Sequence, residues 1–328
     1  MVDLCRFIAA VMIMFRHLDL VGSTTYPTYM FVDFFFILSG YFTVRHFAKL
    51  KNSSDPEERG RTALKYTAKK FLPFLPHLLL ALPIAYAASN FHYLRSGDMF
   101  GFFVGFRDMF AELLLLPIKF FDGPVRQIGP LWYLSALLII MPIFSYICQS
   151  EYRRPIGFCG LIFAYVYFSL QNTISAFDPI SALSLGASCM FMGMFVYDVV
   201  TEIENKKIKK SARFVATLIE LICLAYAIAA AMLGFTPVKM QAVVYMIMLT
   251  IMLSGISFTA NIKCSLFTWL GKISMPLFIW HYAVGRVLLR LVGLWPTRRL
   301  VVLFFVGSFV AAIAMYYISN FIIHRRKH

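Results

Sequence analysis

The sequence predicts an all-α membrane protein, a polytopic helical bundle of about ten transmembrane helices in one domain covering residues 1–328. Of the 328 residues, 60% are hydrophobic and only 14% are charged, whereas a soluble domain has about 25% charged residues. The mean hydropathy is +0.74, and apolar runs of bilayer-spanning length recur along the chain. The alternating ten-residue segments that are typical of a membrane β-barrel are absent.

The apolar runs predict ten spans, and the first begins at residue 4 without a basic leader. We therefore expect a retained span there, not a cleaved signal peptide. The ten predicted spans are 4–22, 29–48, 71–91, 129–149, 155–172, 180–200, 213–234, 238–258, 267–290 and 299–323.

Loop charge predicts the orientation, because cytoplasmic loops of membrane proteins contain an excess of Lys and Arg. Segment 45–70 has eight basic and three acidic residues, whereas 92–128 has four of each. We expect a mobile cytoplasmic loop near 49–68, an external loop near 92–128 and both termini in the cytoplasm. Within the external loop, 98–121 is apolar but interrupted by charges, which indicates an interfacial or re-entrant segment.

The net charge of +15 is explained by these cationic loops, so we expect the lipid bilayer and no nucleic acid as a partner. The six cysteines are scattered, with neither a CxxC pair nor a Cys/His cluster. The sequence therefore predicts neither a disulfide framework nor a metal site.

The first span contains Arg6 and His17, and ionisable groups inside a membrane normally face the bundle interior or a cavity. Eleven residues separate them, which on an α-helix returns to within about 20° of one face, about 16 Å along the axis. One stripe of the helix would then present a cation and a titratable imidazole. The alternatives are an interfacial anchor for Arg6 and a structural hydrogen bond for His17.

Asp33 begins the second span near the expected depth of His17, where a carboxylate would fix the tautomer of the imidazole. The alternative is an acidic residue favoured by the helix dipole in a first turn. Ser39 and Gly40 follow in FFFILSGYF and favour close helix packing over a nucleophilic serine. In the ninth span His281 lies deep, so we expect it to have a partner.

The order of motifs resembles the acyltransferase-3 family of integral membrane O-acyltransferases. The resemblance rests on Arg-x10-His in the first span, VDFFFILSGY, PLWYLSALL and LGKISMPLFIWH. It implies a ten-span domain in the bacterial plasma membrane. It also implies acetyl or acyl transfer from cytoplasmic acyl-CoA to hydroxyls of cell-surface or exported carbohydrates. Arg6 and His17 match the functional pair of the family, and Asp33 falls in its VDFFF block.

One departure concerns the basic run that follows the first loop in the family. Here it is Lys69-Lys70-Phe71-Leu72-Pro73, so a proline stands where the family has its third basic residue. We therefore expect Arg6, Arg45, Lys69 and Lys70 to bind the phosphates of acetyl-CoA, the donor substrate.

In the mechanism that this implies, His17 is the general base that takes the proton of the carbohydrate hydroxyl, and Asp33 orients it. No metal is required, because a thioester already has a good leaving group. Two alternatives stay open. One is a transporter or flippase of a lipid-linked sugar, with Arg6 binding pyrophosphate. The other is a membrane acyltransferase of different fold in which His281 is the active histidine.

Overall fold

The computed structural model describes residues 1–50, 55–104, 106–113, 128–170, 179–204, 206, 208–234, 238–292 and 298–325. All regular structure within these ranges is helical, which confirms the all-α class. The α-helices are α1 (Val2–Arg16), α2 (Phe31–Phe47), α3 (Pro56–Phe71), α4 (Leu75–Ser96), α5 (Met99–Val104), α6 (Phe106–Leu113), α7 (Leu131–Cys148), α8 (Arg153–Leu170), α9 (Pro179–Glu204), α10 (Lys210–Leu233), α11 (Val238–Leu253), α12 (Ser265–Val292) and α13 (Arg298–Arg325). Short 3₁₀ turns occur at Leu18–Val21, Thr28–Met30, Leu72–Phe74 and Thr259–Asn261.

Several helices are suited to crossing a membrane, as the composition predicted. Within the described ranges, six helical runs are long and apolar enough: Pro56–Tyr93, Leu131–Cys148, Ile180–Glu204, Lys210–Leu233, Ser265–Val292 and Arg298–Phe321. The protein is therefore a membrane helical bundle. The total of about ten spans and the cytoplasmic termini stay predictions.

Helix length explains why some predicted spans are not among the six. The helices α1, α2 and α11 have 15, 17 and 16 residues, whereas a straight span needs about 20. The predicted span 155–172 corresponds to α8, and its residues 171 and 172 lie outside the described part of the chain.

The turn between α1 and α2 shortens both helices. After Arg16 the chain continues through a 3₁₀ turn to Gly22, which has a φ of 70°. Glycine tolerates this left-handed conformation because it has no Cβ. An α-helix resumes only at Phe31, so α1 ends before the end of the predicted span 4–22 and α2 begins within the predicted span 29–48.

The expected loop near 49–68 is largely helical, because strong start signals outweigh its polar composition. The Asp55 carboxylate accepts hydrogen bonds from the backbone N–H groups of Glu57 (3.0 Å) and Glu58 (3.3 Å). Pro56 occupies the first helical turn, where its missing N–H costs nothing. The resulting α3 packs on α7. Residues 51–54 of the expected loop lie outside the described residues.

The expected external loop near 92–128 also contains helix. α4 continues to Ser96, and α5 and α6 follow within the segment 98–121 that we expected to be interfacial or re-entrant. The Tyr86 hydroxyl donates to the carbonyl of Phe102 and so ties α5 to α4. Residues 114–127 of the expected loop lie outside the described part of the chain.

Two helices, α12 and α2, make many of the packing contacts between helices. α12 packs against α1, α4 and α13, and α2 packs against α9 and α7. The α2–α9 contact depends on glycine, because a Cβ at Gly193 would overlap the backbone of Ile37 and Tyr41. A Cβ at Gly40 would likewise overlap the carbonyl of Met190. The Ser-Gly pair predicted to allow close approach of helices therefore does so through its glycine.

Candidate active site

A cavity of about 490 Å³ lies among α1, α2, α3, α7 and α12. Helices from both ends of the chain contribute to it, and its wall is mainly aromatic and aliphatic with several hydroxyl groups. The lining residues are Arg6, Phe35, Leu38, Ser39, Phe42, Thr43, Tyr66, Lys70, Phe71, Pro73, Phe74, Tyr133, Leu137, Met141, Ser274, Met275 and Phe278.

Two of the four cations expected to bind phosphate, Arg6 and Lys70, line this cavity. The Arg6 guanidinium donates to the Asp3 carboxylate over 3.2 Å, and the Lys70 ammonium lies 5.3 Å from the centroid of the Tyr66 ring. Arg6 and Lys70 are close enough for their charges to interact. Two cations with one half-exposed carboxylate beside them give this end of the cavity a positive potential, which favours an anionic ligand.

The other two expected cations lie outside the cavity wall. Arg45 is exposed in the last turn of α2, and Lys69 is exposed beside Lys70 in the last turn of α3. Lys69 and Lys70 both interact electrostatically with His46. Lys69 therefore adds positive charge beside Lys70 without lining the cavity, whereas Arg45 interacts with Tyr41, which packs on α9.

Three rings of the cavity wall pack together on α2, α7 and α12. Phe35, Tyr133 and Phe278, which we call the aromatic barrier, are the lining residues nearest the start of α2, the start of α7 and the end of α12. Their centroids are 6.3 Å (Phe35–Tyr133), 6.2 Å (Phe35–Phe278) and 5.7 Å (Tyr133–Phe278) apart. Separations of this size are typical of packed aromatic side chains.

His17 lies on the far side of the aromatic barrier. It is the residue at which α1 ends, with φ −104° and ψ 22°. Its ring centroid is 5.4 Å from that of His281 and 5.2 Å from that of Tyr282. His281 follows Phe278 by one helical turn, with 6.5 Å between the two rings. Arg6 and His17 thus both lie on the side of α1 that faces α12, Arg6 near the start of α1 and His17 at its end.

His281 has no solvent exposure, and its Nδ1 lies 2.9 Å from the backbone oxygen of Leu277. Its Nε2 is buried and has no hydrogen-bond partner among the described residues. The depth of His281 in its span was the sequence signal that it needs a partner. Sequence analysis did not identify His17 as its neighbour, because 264 positions separate the two residues.

Asp33 lies apart from this pair of histidines. It is 1% exposed in the first turn of α2, and it interacts electrostatically with Cys189 and Tyr245. Its Oδ2 has no hydrogen-bond partner in the described part of the chain. No hydrogen bond, ion pair or ring contact between Asp33 and His17 is present among the described residues. The structure therefore does not bring these two predicted site residues into contact.

Tyr133 and Ser39 are two of the cavity-wall residues that were not expected as site residues. Tyr133 belongs to a Trp-Tyr pair that is more often interfacial, but it is 7% exposed and lines the cavity. Ser39 donates to the carbonyl of Phe35 over 2.7 Å, and its oxygen is 3.4 Å from the Tyr133 hydroxyl. These contacts agree with a packing role for Ser39 in place of a nucleophilic one.

Comparison with known proteins finds a match to the acyltransferase-3 family, whose sequence model is described as an acyltransferase domain and matches residues 2–317. No curated protein and no solved structure matches the chain. The family match covers nearly the whole chain, including all residues of the cavity wall and both histidines. It supports acyl transfer and gives no support to the transporter alternative.

Proposed function

The chain belongs to the acyltransferase-3 family and is a membrane acyltransferase, and from that premise we propose the following reaction. An acetyl group moves from cytoplasmic acetyl-CoA to a hydroxyl group of a cell-surface or exported carbohydrate. The protein acts in the plasma membrane of a bacterium, as a bundle of about ten spans with both termini in the cytoplasm.

The observation that carries this proposal is the convergence of Arg6 and Lys70 on one cavity. Coenzyme A presents phosphates at one end and a long, largely uncharged pantetheine arm. A cationic end bounded by an apolar wall with hydroxyl groups matches that distribution. Arg45 and Lys69 increase the local positive potential and so favour arrival of the donor.

Pro73 lies in this cavity wall, at the position where the family has a basic residue. The proposed donor site of this chain therefore has one cation fewer than the family pattern. Lys70, which lines the same cavity, supplies the charge from the preceding turn.

His17 is the base of the proposed reaction. As the hydroxyl oxygen of the carbohydrate bonds to the carbonyl carbon of the thioester, a nitrogen of His17 takes the hydroxyl proton. The carbon–sulfur bond breaks, and the proton passes from the imidazolium to sulfur, so that the acetylated carbohydrate and free coenzyme A leave. This proposed reaction uses no metal ion.

The aromatic barrier lies between the cavity and His17. The pantetheine arm must therefore pass Phe35, Tyr133 and Phe278 before the thioester reaches the imidazole. Rotation of these side chains would open the passage, and their return would exclude water from the thioester.

The test uses membranes that contain the protein, acetyl-CoA with a labelled acetyl group and the surface glycan of the producing cell. Label is followed into glycan for the wild type, Arg6→Ala and His17→Ala at equal folded amounts. We expect incorporation in the wild type and its loss in both variants. Absence of incorporation in the wild type with an acceptor-rich fraction supplied would contradict the proposal, as would full activity of His17→Ala.

A further inference from the structure

We propose that His281 is the residue that positions His17, by accepting a hydrogen bond from the imidazole nitrogen that does not act as the base. This inference rests on the proposed function, in which His17 is the base. It gives to His281 the orienting part that sequence analysis assigned to Asp33.

The hydrogen bonding of His281 fixes which of its nitrogens can accept. A backbone carbonyl only accepts, so the 2.9 Å contact with Leu277 O requires Nδ1 to donate its proton. In the neutral imidazole the other nitrogen is then an unprotonated acceptor. That nitrogen, Nε2, is buried and unpartnered among the described residues, and an unused buried acceptor is uncommon unless a ligand or a neighbour uses it.

His17 needs such an acceptor. When one of its nitrogens serves as the base, the other must hold a proton and orient it towards a fixed partner. Among the described residues, Arg16, Arg286 and His281 act electrostatically on His17, and Tyr282 is in ring contact with it. Arginine cannot accept a hydrogen bond, and the Tyr282 hydroxyl oxygen already accepts one from Arg286 at 3.2 Å, so only one of its lone pairs is left. Of these neighbours, His281 offers an acceptor that no described residue uses.

The geometry places the two imidazoles in ring contact, with 5.4 Å between centroids and 33° between planes. Catalytic hydrogen bonds are often long without substrate and shorten in the reactive complex. We infer that the His17 ring turns in that complex so that its N–H reaches His281 Nε2. Proton transfer from the carbohydrate hydroxyl then produces an imidazolium whose second N–H is already paired, which stabilises it in the protein interior.

The experiment compares three substitutions of His281 in the full-length protein in membranes. Glutamine places an amide oxygen near the position of Nε2, whereas asparagine reaches only the position of Nδ1 and alanine removes both. We expect His281→Ala and His281→Asn to lower apparent kcat about 100-fold, in the range of a positioned acid–base group. We expect His281→Gln to keep at least about a tenth of wild-type kcat, and KM for acetyl-CoA to change less than about 3-fold in all three.

The matched control is His77→Gln, which alters another buried histidine (1% exposed) that accepts from the Trp280 indole over 3.4 Å. It shares the packing cost of a buried histidine but does not contact His17. Near-wild-type kcat for His77→Gln supports the assignment. Equal losses for His77→Gln and for all the His281 variants overturn it, because only packing is then involved.

A double substitution separates positioning from independent contributions. If His281 acts through His17, His17→Ala/His281→Ala is no slower than His17→Ala alone. If the activity losses of the two single variants multiply in the double variant, the proposal is overturned. If His281→Ala does not accumulate as folded protein, the comparison of His281→Gln with His281→Asn decides. A wild type without transfer activity refutes the proposed function itself, whereas an active wild type with fully active His281→Asn refutes only this inference.

Discussion

The imidazole rings of His17 and His281 lie 5.4 Å apart, one at the end of α1 and the other in the middle of α12. The Arg6–Lys70 end of the cavity is separated from them by the three rings of the aromatic barrier. The site therefore has a cationic part that suits a phosphate-bearing donor and a histidine part that suits proton transfer.

Replacing His17 by phenylalanine tests its chemistry while keeping an aromatic ring between His281 and Tyr282. We expect apparent kcat to fall by about 10²–10⁴-fold, because the positioned base is lost. Label transfer from acetyl-CoA to glycan, normalised to folded protein, measures the effect. His17→Phe should unfold within a few degrees of the wild type. Activity of His17→Phe near that of the wild type would show that the ring serves packing alone.

Replacing Lys70 by alanine tests the donor end of the cavity. We expect KM for acetyl-CoA to rise about 10-fold with little change in kcat, because a hydrogen bond to a charged group contributes about 1.5–3 kcal/mol. The effect should weaken at high salt, since screening reduces the contribution of exposed charges. Kinetics at varied acetyl-CoA concentration and two salt concentrations measure both effects.

The control for Lys70 is Lys65→Ala, because Lys65 lies on the same helix and is also exposed but is outside the cavity wall. Lys65→Ala also removes one positive charge from α3, about one and a half helical turns before Lys70. We expect its KM to stay within about 2-fold of the wild type, because an exposed charge at a distance contributes little. Equal effects of the two substitutions would indicate general charge attraction in place of a binding site at Lys70.

Much of this arrangement was predictable from the sequence, and the reasons for the remainder are physical. Hydropathy and composition predicted the helical membrane bundle. The Arg6–His17 spacing predicted one stripe of one helix, and in the structure Arg6 lies within α1 while His17 is the residue at which α1 ends. Polarity predicted a loop near 49–68, whereas residues 56–68 are helical, because the capping of α3 by Asp55 decides local structure there. The contact of His17 with His281 was not predictable, because a single sequence does not reveal which distant helices pack together.

Replacing Asp33 by asparagine tests whether a carboxylate acts on His17. Asp33 is buried in the first turn of α2 and does not contact His17 among the described residues. Asparagine has nearly the same shape without the charge, so we expect transfer activity to stay within about 3-fold of the wild type, as for other sites away from the chemistry. Apparent kcat per folded molecule is the measurement. A loss as large as that of His17→Phe would restore Asp33 as its orienting partner.

Replacing Gly193 by alanine tests the α2–α9 contact that supports one wall of the site. The added methyl group would overlap the backbone of Ile37 and Tyr41, and backbone atoms cannot move aside as a flexible side chain can. Overpacking typically costs about 1–3 kcal/mol, so the temperature of unfolding in detergent should fall. Gly60→Ala is the matched control, because a Cβ there meets nothing within 4 Å in the helix α3. Alanine is favoured over glycine inside a helix by about 1 kcal/mol, so Gly60→Ala should unfold at the same or a higher temperature. A Gly193→Ala protein as stable as the wild type would show that α2 and α9 are farther apart than the glycine contact requires.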